Sequence, residues 1–249
     1  MNVALTSALI ATLTSITVVF LQAGLKAINT KQKIASEINS AYLNPLRLYT
    51  EETFFRLYDI NSRLIKGQRE SLLFLPTETQ TTQLSAQDDS WFNGEGCYFL
   101  SSCYFTACLF ACIKKVREDI PYLKLRGRND TALPSALFAV SRGFLSDLGI
   151  FYAIQHSIGS ELYLHSEQRL VTYREFCKLI QTPDKRVWFD RLLSFYLDIN
   201  QGKRQANLTV TMTALYGLAQ FCDRIAQGNS SIDERLRTEG QQPPFQPRR

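Results

Sequence analysis

The chain has 249 residues, of which 45% are hydrophobic and 20% charged, with 12 Gly and 8 Pro. This composition is typical of a folded protein and excludes collagen-like, low-complexity and wholly disordered chains. The net charge of +5 is small for the length and is spread along the chain, so nucleic acid is not an expected partner. Six Cys are too few for a disulfide scaffold and, without paired spacings, suit a reducing compartment.

The first 24 residues carry no charged side chain, and Lys26 is the first charge. About 20 apolar helical residues cross the ~30 Å hydrocarbon core of a bilayer, so residues 1–24 predict a transmembrane anchor. A cleaved signal peptide would need a basic start and small residues before the cut, whereas here cleavage after Ala23 would leave Leu21 at position −3. A buried core helix is the remaining alternative.

Three lysines follow this anchor and none precedes it. Lys26, Lys31 and Lys33 orient the span, because Lys and Arg beside a span stay on the cytoplasmic side. We therefore expect a single-pass protein with its N terminus outside, its body in the cytoplasm and these lysines against lipid headgroups. Small residues four apart, such as Ala4 and Ala8, would let two anchors pack as a homo-oligomer.

After the anchor, the pattern predicts a juxtamembrane stem over residues 25–44 and a helical domain over residues 45–238. Pro45 predicts a joint, because proline suits the first turn of a new helix. The helix over residues 45–66 would bury a set of apolar side chains, namely Phe54, Leu57, Tyr58, Leu64 and Ile65. On its other side it would pair Glu52 with Arg56, and Asp59 with Arg63.

Residues 76–90 are polar and predict a surface loop. The most apolar stretch of the body follows, over residues 97–113, and predicts a central buried helix. At 16 residues, or about 24 Å, residues 98–113 are short for a crossing, so a second membrane segment is the alternative.

The second half of the domain also has a helical pattern. We expect a polar connection over residues 121–133, a helix opening at Pro134 and a capping box from Thr172 to Glu175. Further helices are predicted over residues 183–198, with Trp188 buried and Arg186 facing water, and over residues 205–226. Short apolar runs between residues 162 and 171 allow one small hairpin, and residues 239–249, with three Pro, predict a disordered tail.

Four of the cysteines, Cys97, Cys103, Cys108 and Cys112, fall inside one predicted helix. Zinc sites use close Cys pairs on turns, whereas only Cys108 and Cys112 share a helical face here. We expect core filling, with redox sensing or a metal site as alternatives, and predict no metal and no cofactor.

No nucleotide-binding loop or hydrolase motif is present in the sequence. The two histidines, His156 and His165, have only Glu161 and Glu167 as nearby acids, which favours surface or capping roles. An enzyme with a site around Arg142, Asp147 and His156 is an alternative, but the sequence leans against catalysis.

An aromatic set near the 76–90 loop provides the candidate partner-binding residues, because aromatic side chains anchor protein interfaces. Its members are Trp91, Phe92, Tyr98 and Tyr104. An equally favoured alternative is that these four side chains only seal the core. The favoured function is a non-enzymatic, membrane-tethered adaptor or scaffold with a protein partner. A membrane-active effector or ligand-sensing oligomer is the runner-up.

Four segments resemble a set of uncharacterised, cyanobacterial-type bacterial proteins. They are YLNPLR (residues 42–47), GEGCYFLSSCYFTACLFA (94–111), FLSDLGIFY (144–152) and TYREFC (172–177). The resemblance implies a helical architecture and an N-terminal anchor in a bacterial plasma or thylakoid membrane, and it implies no activity. The expected fold is mainly α: a transmembrane helix and a cytoplasmic domain of about six helices around residues 97–113.

Overall fold

The structure is a computed structural model of the chain. It describes residues 26, 33, 36–68, 73–76, 78–119, 129–145, 149–203, 205–225 and 231–238. The chain divides into two units, Met1–Ala41 and Tyr42–Arg249. In the first unit, Lys26 and Lys33 are helical and exposed. The predicted anchor, Lys31 and the predicted tail lie outside the described residues.

The protein is mainly helical, as predicted. The described part has ten α-helices: α1 (Asn44–Ile65), α2 (Asp89–Asn93), α3 (Cys97–Asp119), α4 (Asn129–Gly143), α5 (Tyr152–Leu162), α6 (Tyr173–Gln181), α7 (Pro183–Arg186), α8 (Asp190–Asn200), α9 (Gln205–Ile225) and α10 (Ser231–Thr238). A π-helical turn, Asn39–Leu43, precedes α1, and a 3-10 turn, Thr81–Ala86, precedes α2. The predicted hairpin is present, with β1 (Tyr163–Leu164) antiparallel to β2 (Arg169–Leu170).

Helix α3 is the centre of the second unit. It packs against α1, α5 and α8, while α9 packs against α1 and α4. Gly159 of α5 permits the close contact with α3, because a Cβ there would lie 2.9 Å from the carbonyl oxygen of Phe110. Within the described residues, α3 is also the one helix long and apolar enough to cross a membrane, but 67% of its most apolar window is buried inside the protein. This burial agrees with the predicted core helix.

Helix α1 has the predicted extent but a different start. Pro45 lies in its first turn, directly after the π-helical turn, so the expected joint is a widened helical turn and not a break. Ile65, expected in the core, is exposed, because it lies in the last turn, where the chain leaves the helix. Phe54 and Leu57 are buried as expected.

Only one of the two expected ion pairs along α1 is present. Asp59 and Arg63 are 2.9 Å apart. Arg56 instead lies over the ring of Tyr98, at 4.6 Å from its centroid. Glu52 is 3.2 Å from Arg235 of α10. Arg56 therefore contributes to aromatic packing, and Glu52 contacts a distant segment.

Helix α4 begins before the expected position. It starts at Asn129, so Pro134 lies inside it and does not open it. The helix ends at Gly143, where α9 is very close: a Cβ on Gly143 would lie 2.9 Å from the Cα of Thr211. The Thr211 hydroxyl donates to the Gly143 carbonyl at 2.7 Å, so α9 satisfies this end of α4.

The predicted capping box begins α6. The backbone N–H of Thr172 donates to the Glu175 carboxylate at 2.7 Å, and the Glu175 N–H donates to the Thr172 hydroxyl at 3.3 Å. Arg169 of β2 donates to both oxygens of the same carboxylate at 2.8 Å. These contacts lower the pKa of Glu175 well below its usual range, with Arg169 the largest cause.

Candidate functional site

The predicted partner-binding aromatics surround the N-terminal end of α3. Trp91 is half-buried and covers Gly96, where a Cβ would lie 2.3 Å from the indole ring. Phe92 is 1% exposed. Tyr98 donates to the carboxylate of Asp59 at 2.5 Å, and Tyr104 donates to the carbonyl of Val171 at 2.9 Å.

These four residues do not form one open surface. Trp91 and Phe92 contact each other, whereas the rings of Tyr98 and Tyr104 pack against Phe74 and Tyr173. Phe92 is inside the core, and both tyrosine hydroxyls are bonded within the domain. A role for the set in partner binding stays a prediction.

A different aromatic side chain is exposed, at a turn that the sequence did not predict. Helix α7 ends at Arg186 and α8 begins at Asp190, so the predicted helix over residues 183–198 is interrupted by residues 187–189, here named the Trp188 turn. Trp188 is 53% exposed and Val187 is 58% exposed. The prediction that Trp188 is buried is therefore wrong.

The backbone of the Trp188 turn explains the exposure. The N–H of Trp188 bonds to the carbonyl of Lys185, and the N–H of Phe189 bonds to that of Arg186, both three residues back. This tighter winding rotates side chains further per residue than an α-helix does. Phe189, which is 0% exposed, therefore points inward and packs on Phe176, with ring centroids 5.4 Å apart.

The Trp188 turn is held from both sides. Arg186, expected to face water, is 3.3 Å from the carboxylate of Asp190 and also donates to the hydroxyl of Ser85 in the 3-10 turn. Arg186 thus joins α7, α8 and the 76–90 segment. The backbone of the turn is therefore tied to two other segments next to Trp188.

The charges around Trp188 are mainly positive. Lys185 and Arg191 are exposed, and neither makes an ion pair within the residues that the structure describes. Asp184 is also exposed. The surface is an apolar pair, Val187 and Trp188, with two cations and one acid beside it.

A cavity of about 330 Å³ lies at the other end of α3 from the aromatic set. The second half of α3, Gly159 of α5, the hairpin and Tyr42 form its walls. Its lining residues are Tyr42, Ala111, Lys114, Lys115, Glu118, Asp119, Gly159, Tyr163, His165 and Gln168. We name it the Lys115 cavity.

Lys115 lies between two aromatic rings of this cavity. Its ammonium is 5.0 Å from the ring centroid of Tyr42 and 4.9 Å from that of Tyr163, and it donates to the Tyr163 hydroxyl at 3.2 Å. Lys114, by contrast, is paired with Glu118 at 2.8 Å. Burial and a hydrogen bond with Asp119 raise the pKa of Tyr42.

The buried thiols have the chemistry expected of core residues. Burial raises the pKa of Cys112 and Cys222 to about 12 and that of Cys177 to about 11. It also raises the pKa of Cys103 and Cys108. The nucleophilic thiolate is therefore scarce at neutral pH. No group of three or more His, Cys, Asp or Glu able to hold a metal occurs among the described residues.

The alternative enzymatic site is not assembled in the described part. Asp147 lies outside the described residues, and Arg142 is exposed. Burial, followed by the nearby Lys114 and Arg117, lowers the pKa of His156. His165 is exposed, and its ring packs on Tyr163 at 5.1 Å.

No protein-family model, no curated protein and no solved structure matches the chain. The resemblance to cyanobacterial-type proteins therefore stays a prediction.

Proposed function

We propose that the chain is a single-pass membrane protein whose helical domain is a non-enzymatic adaptor, holding a protein partner at the Trp188 turn. The observation that carries this proposal is Trp188, a tryptophan that is 53% exposed on a turn whose neighbour Arg186 contacts both Asp190 and Ser85. Tryptophan is enriched among the residues that contribute most to binding energy in protein interfaces. The adaptor surface is thus assigned to Trp188 and Val187 and not to Trp91 and Phe92.

The charges favour a partner with an apolar pocket and an acidic rim. Lys185 and Arg191 would meet carboxylates at that rim, where charge complementarity favours association and selects the partner. The same two cations would also attract an anionic bilayer, so photo-crosslinking at position 188 has to distinguish a protein adduct from a lipid adduct.

The membrane part of the proposal rests on the sequence. Residues 1–24 are uncharged, and Lys26, Lys31 and Lys33 follow them. The proposed orientation has the N terminus outside, the domain in the cytoplasm, and the bilayer and a protein as partners. Anchors packed through their small residues would form a homo-oligomer.

Topology is tested with a membrane-impermeant maleimide on intact cells. A Cys introduced at Asn2 should be labelled, and one introduced at Gln83, which is exposed, should not. The chain without an introduced Cys is the control, because its own half-buried Cys97 could also react with the maleimide. Labelling at Gln83 alone, or release of the protein by sodium carbonate, would contradict the anchored orientation.

The adaptor is tested with two exposed aromatic residues of nearly equal exposure. Trp188 is 53% exposed and Phe138 of α4 is 54% exposed. The full chain is purified from membranes together with the proteins bound to it. One protein that co-purifies in stoichiometric amount should be lost with the Trp188→Ala variant and retained with the Phe138→Ala variant. Equal retention in both variants, or equal loss in both, would overturn the assignment.

A ligand-sensing membrane oligomer is the second candidate, and the Lys115 cavity favours it. The expected observation is a change in anchor cross-linking, measured between single Cys residues at Ala4, when ligand is added. This candidate function would be excluded if no ligand that binds in the Lys115 cavity changed the cross-linking.

A further inference from the structure

We infer that the Lys115 cavity binds a small organic anion, with a carboxylate or phosphate group on Lys115 and a flat body against Tyr163 and His165. The inference does not rest on the adaptor function, because the Lys115 cavity and the Trp188 turn share no residue.

The first argument is the set of charges inside the cavity. Both of its carboxylates have internal partners, because Glu118 pairs with Lys114 and Asp119 bonds to Tyr42. Lys115 has no carboxylate partner in the described part of the chain: its interactions there are with two aromatic rings, the neutral Tyr163 hydroxyl and the buried Cys112 thiol. Its ammonium is therefore the cation left to bind an anionic oxygen.

The second argument is the shape of the cavity. A volume of about 330 Å³ is at the lower end of the range for small-molecule sites. Tyr163 and His165 form an edge-to-face aromatic pair at its wall, with ring centroids 5.1 Å apart. Aromatic walls favour a planar body, and Gln168 and His165 provide further polar groups for orientation.

The third argument is that the walls come from separate parts of the chain that are held by packing. Gly159 has no room for a Cβ against Phe110, so α5 and α3 are fixed together beneath the cavity. Tyr42 comes from the π-helical turn, a feature that is frequent at functional sites. The walls around Lys115 are thus held together by packing within the domain.

Calorimetric titration of the full chain in nanodiscs of neutral lipid tests the inference with four probes. Benzoate and phenyl phosphate combine an anion with a ring, inorganic phosphate lacks the ring, and benzyl alcohol lacks the charge. We expect at least one of the first two probes to bind at least tenfold more tightly than inorganic phosphate and benzyl alcohol. Comparing them distinguishes a carboxylate ligand from a phosphate ligand.

Substitutions then locate the site. Lys115→Met should weaken benzoate or phenyl phosphate at least tenfold, and Lys115→Arg should retain binding within about threefold. Lys178→Met removes one exposed positive charge of α6 and should have no effect. The inference would be overturned if Lys115→Met and Lys178→Met weakened binding equally, or if benzyl alcohol bound as tightly as benzoate. It would also be overturned if neither anion bound at about 10 mM.

A measurement on the unaltered chain keeps the test valid if Lys115→Met does not fold. Acylation of each lysine is followed by mass spectrometry with and without the tighter of the two anions. Protection of Lys115 with unchanged labelling of Lys178 supports the site. Equal labelling of Lys115 in both samples contradicts it.

Discussion

The chain contains two tryptophans, and each is followed by a phenylalanine: Trp91–Phe92 and Trp188–Phe189. In both pairs the phenylalanine is in the core, at 1% and 0% exposure. The tryptophans differ, because Trp91 covers a glycine within its own segment whereas Trp188 is turned outward by a 3-10 winding. The same dipeptide thus closes the core in one place and forms a surface in the other.

Helix α6 contacts both pairs. Tyr173 donates to the carbonyl of Phe92 at 2.9 Å, and Phe176 packs on Phe189. The two dipeptides are therefore anchored on one helix, and what distinguishes them is the local backbone around each tryptophan.

The largest expected effect is at the two phenylalanines. Phe92→Ala and Phe189→Ala should each lower the free energy of unfolding by about 3–5 kcal/mol, because each leaves a cavity in the core. Urea unfolding of the full chain in detergent, followed by circular dichroism, measures the loss. A loss below about 1 kcal/mol at either position would mean that the two pairs are not equivalent in the core.

Gly96→Ala should have the next largest effect, because the new Cβ would overlap the Trp91 ring. We expect a loss of about 1–3 kcal/mol and a red-shifted Trp91 emission, recorded in a Trp188→Phe background. Gly217→Ala in α9 is the control, since nothing lies within 4 Å of its added Cβ, and it should stabilise by about 0.5–1 kcal/mol. An unshifted emission in Gly96→Ala would show that Trp91 does not cover this glycine.

Thr172→Ala should lower stability by about 1 kcal/mol, because it removes the side-chain cap of the helix that holds both pairs. The control is Thr182→Ala, whose hydroxyl donates to the Lys178 carbonyl and caps no helix start. Thermal unfolding compares the two variants. A larger loss for Thr182→Ala would contradict the assigned cap.

The smallest effect on stability is expected at Trp188. Trp188→Ala should change the free energy of unfolding by less than about 0.5 kcal/mol, as an exposed residue does when it is not part of the packing. Trp91→Ala should be clearly more destabilising in the same urea titration. Equal losses of unfolding free energy in the two variants would indicate that Trp188 packs within the domain and is not available to bind a partner.

The sequence predicts what depends on neighbours in the chain. The Thr172 to Glu175 box, the small hairpin and the apolar central helix all follow from residues a few positions apart, and all are present. The exposed Trp188 does not follow, because helical periodicity assumes an unbroken α-helix through residues 187–189. Arg186 is predicted to face water, whereas it donates to Ser85, which lies far away in the chain, and contacts Asp190 one helical turn away.

The Lys115 cavity was missed for the same reason. Lys114 and Lys115 are adjacent in sequence and look equivalent, yet one is paired with Glu118 on its own helix and the other meets rings from residues 42 and 163. The packing of α3 with α5, which requires Gly159, places Tyr163 beside Lys115, and the packing of α3 with α1 brings Tyr42 from the turn before α1. The signal in the sequence was Gly159 within a helix, where glycine is disfavoured unless the backbone needs close contact.

In-cell photo-crosslinking tests the central claim, that the Trp188 turn is the surface that holds a protein partner. A benzophenone amino acid is placed at position 188 of the full chain and, as the matched position, at 138. We predict one discrete protein adduct from position 188 and none of that mass from position 138. No adduct from 188, the same adduct from both positions, or attachment to lipid alone would contradict the claim.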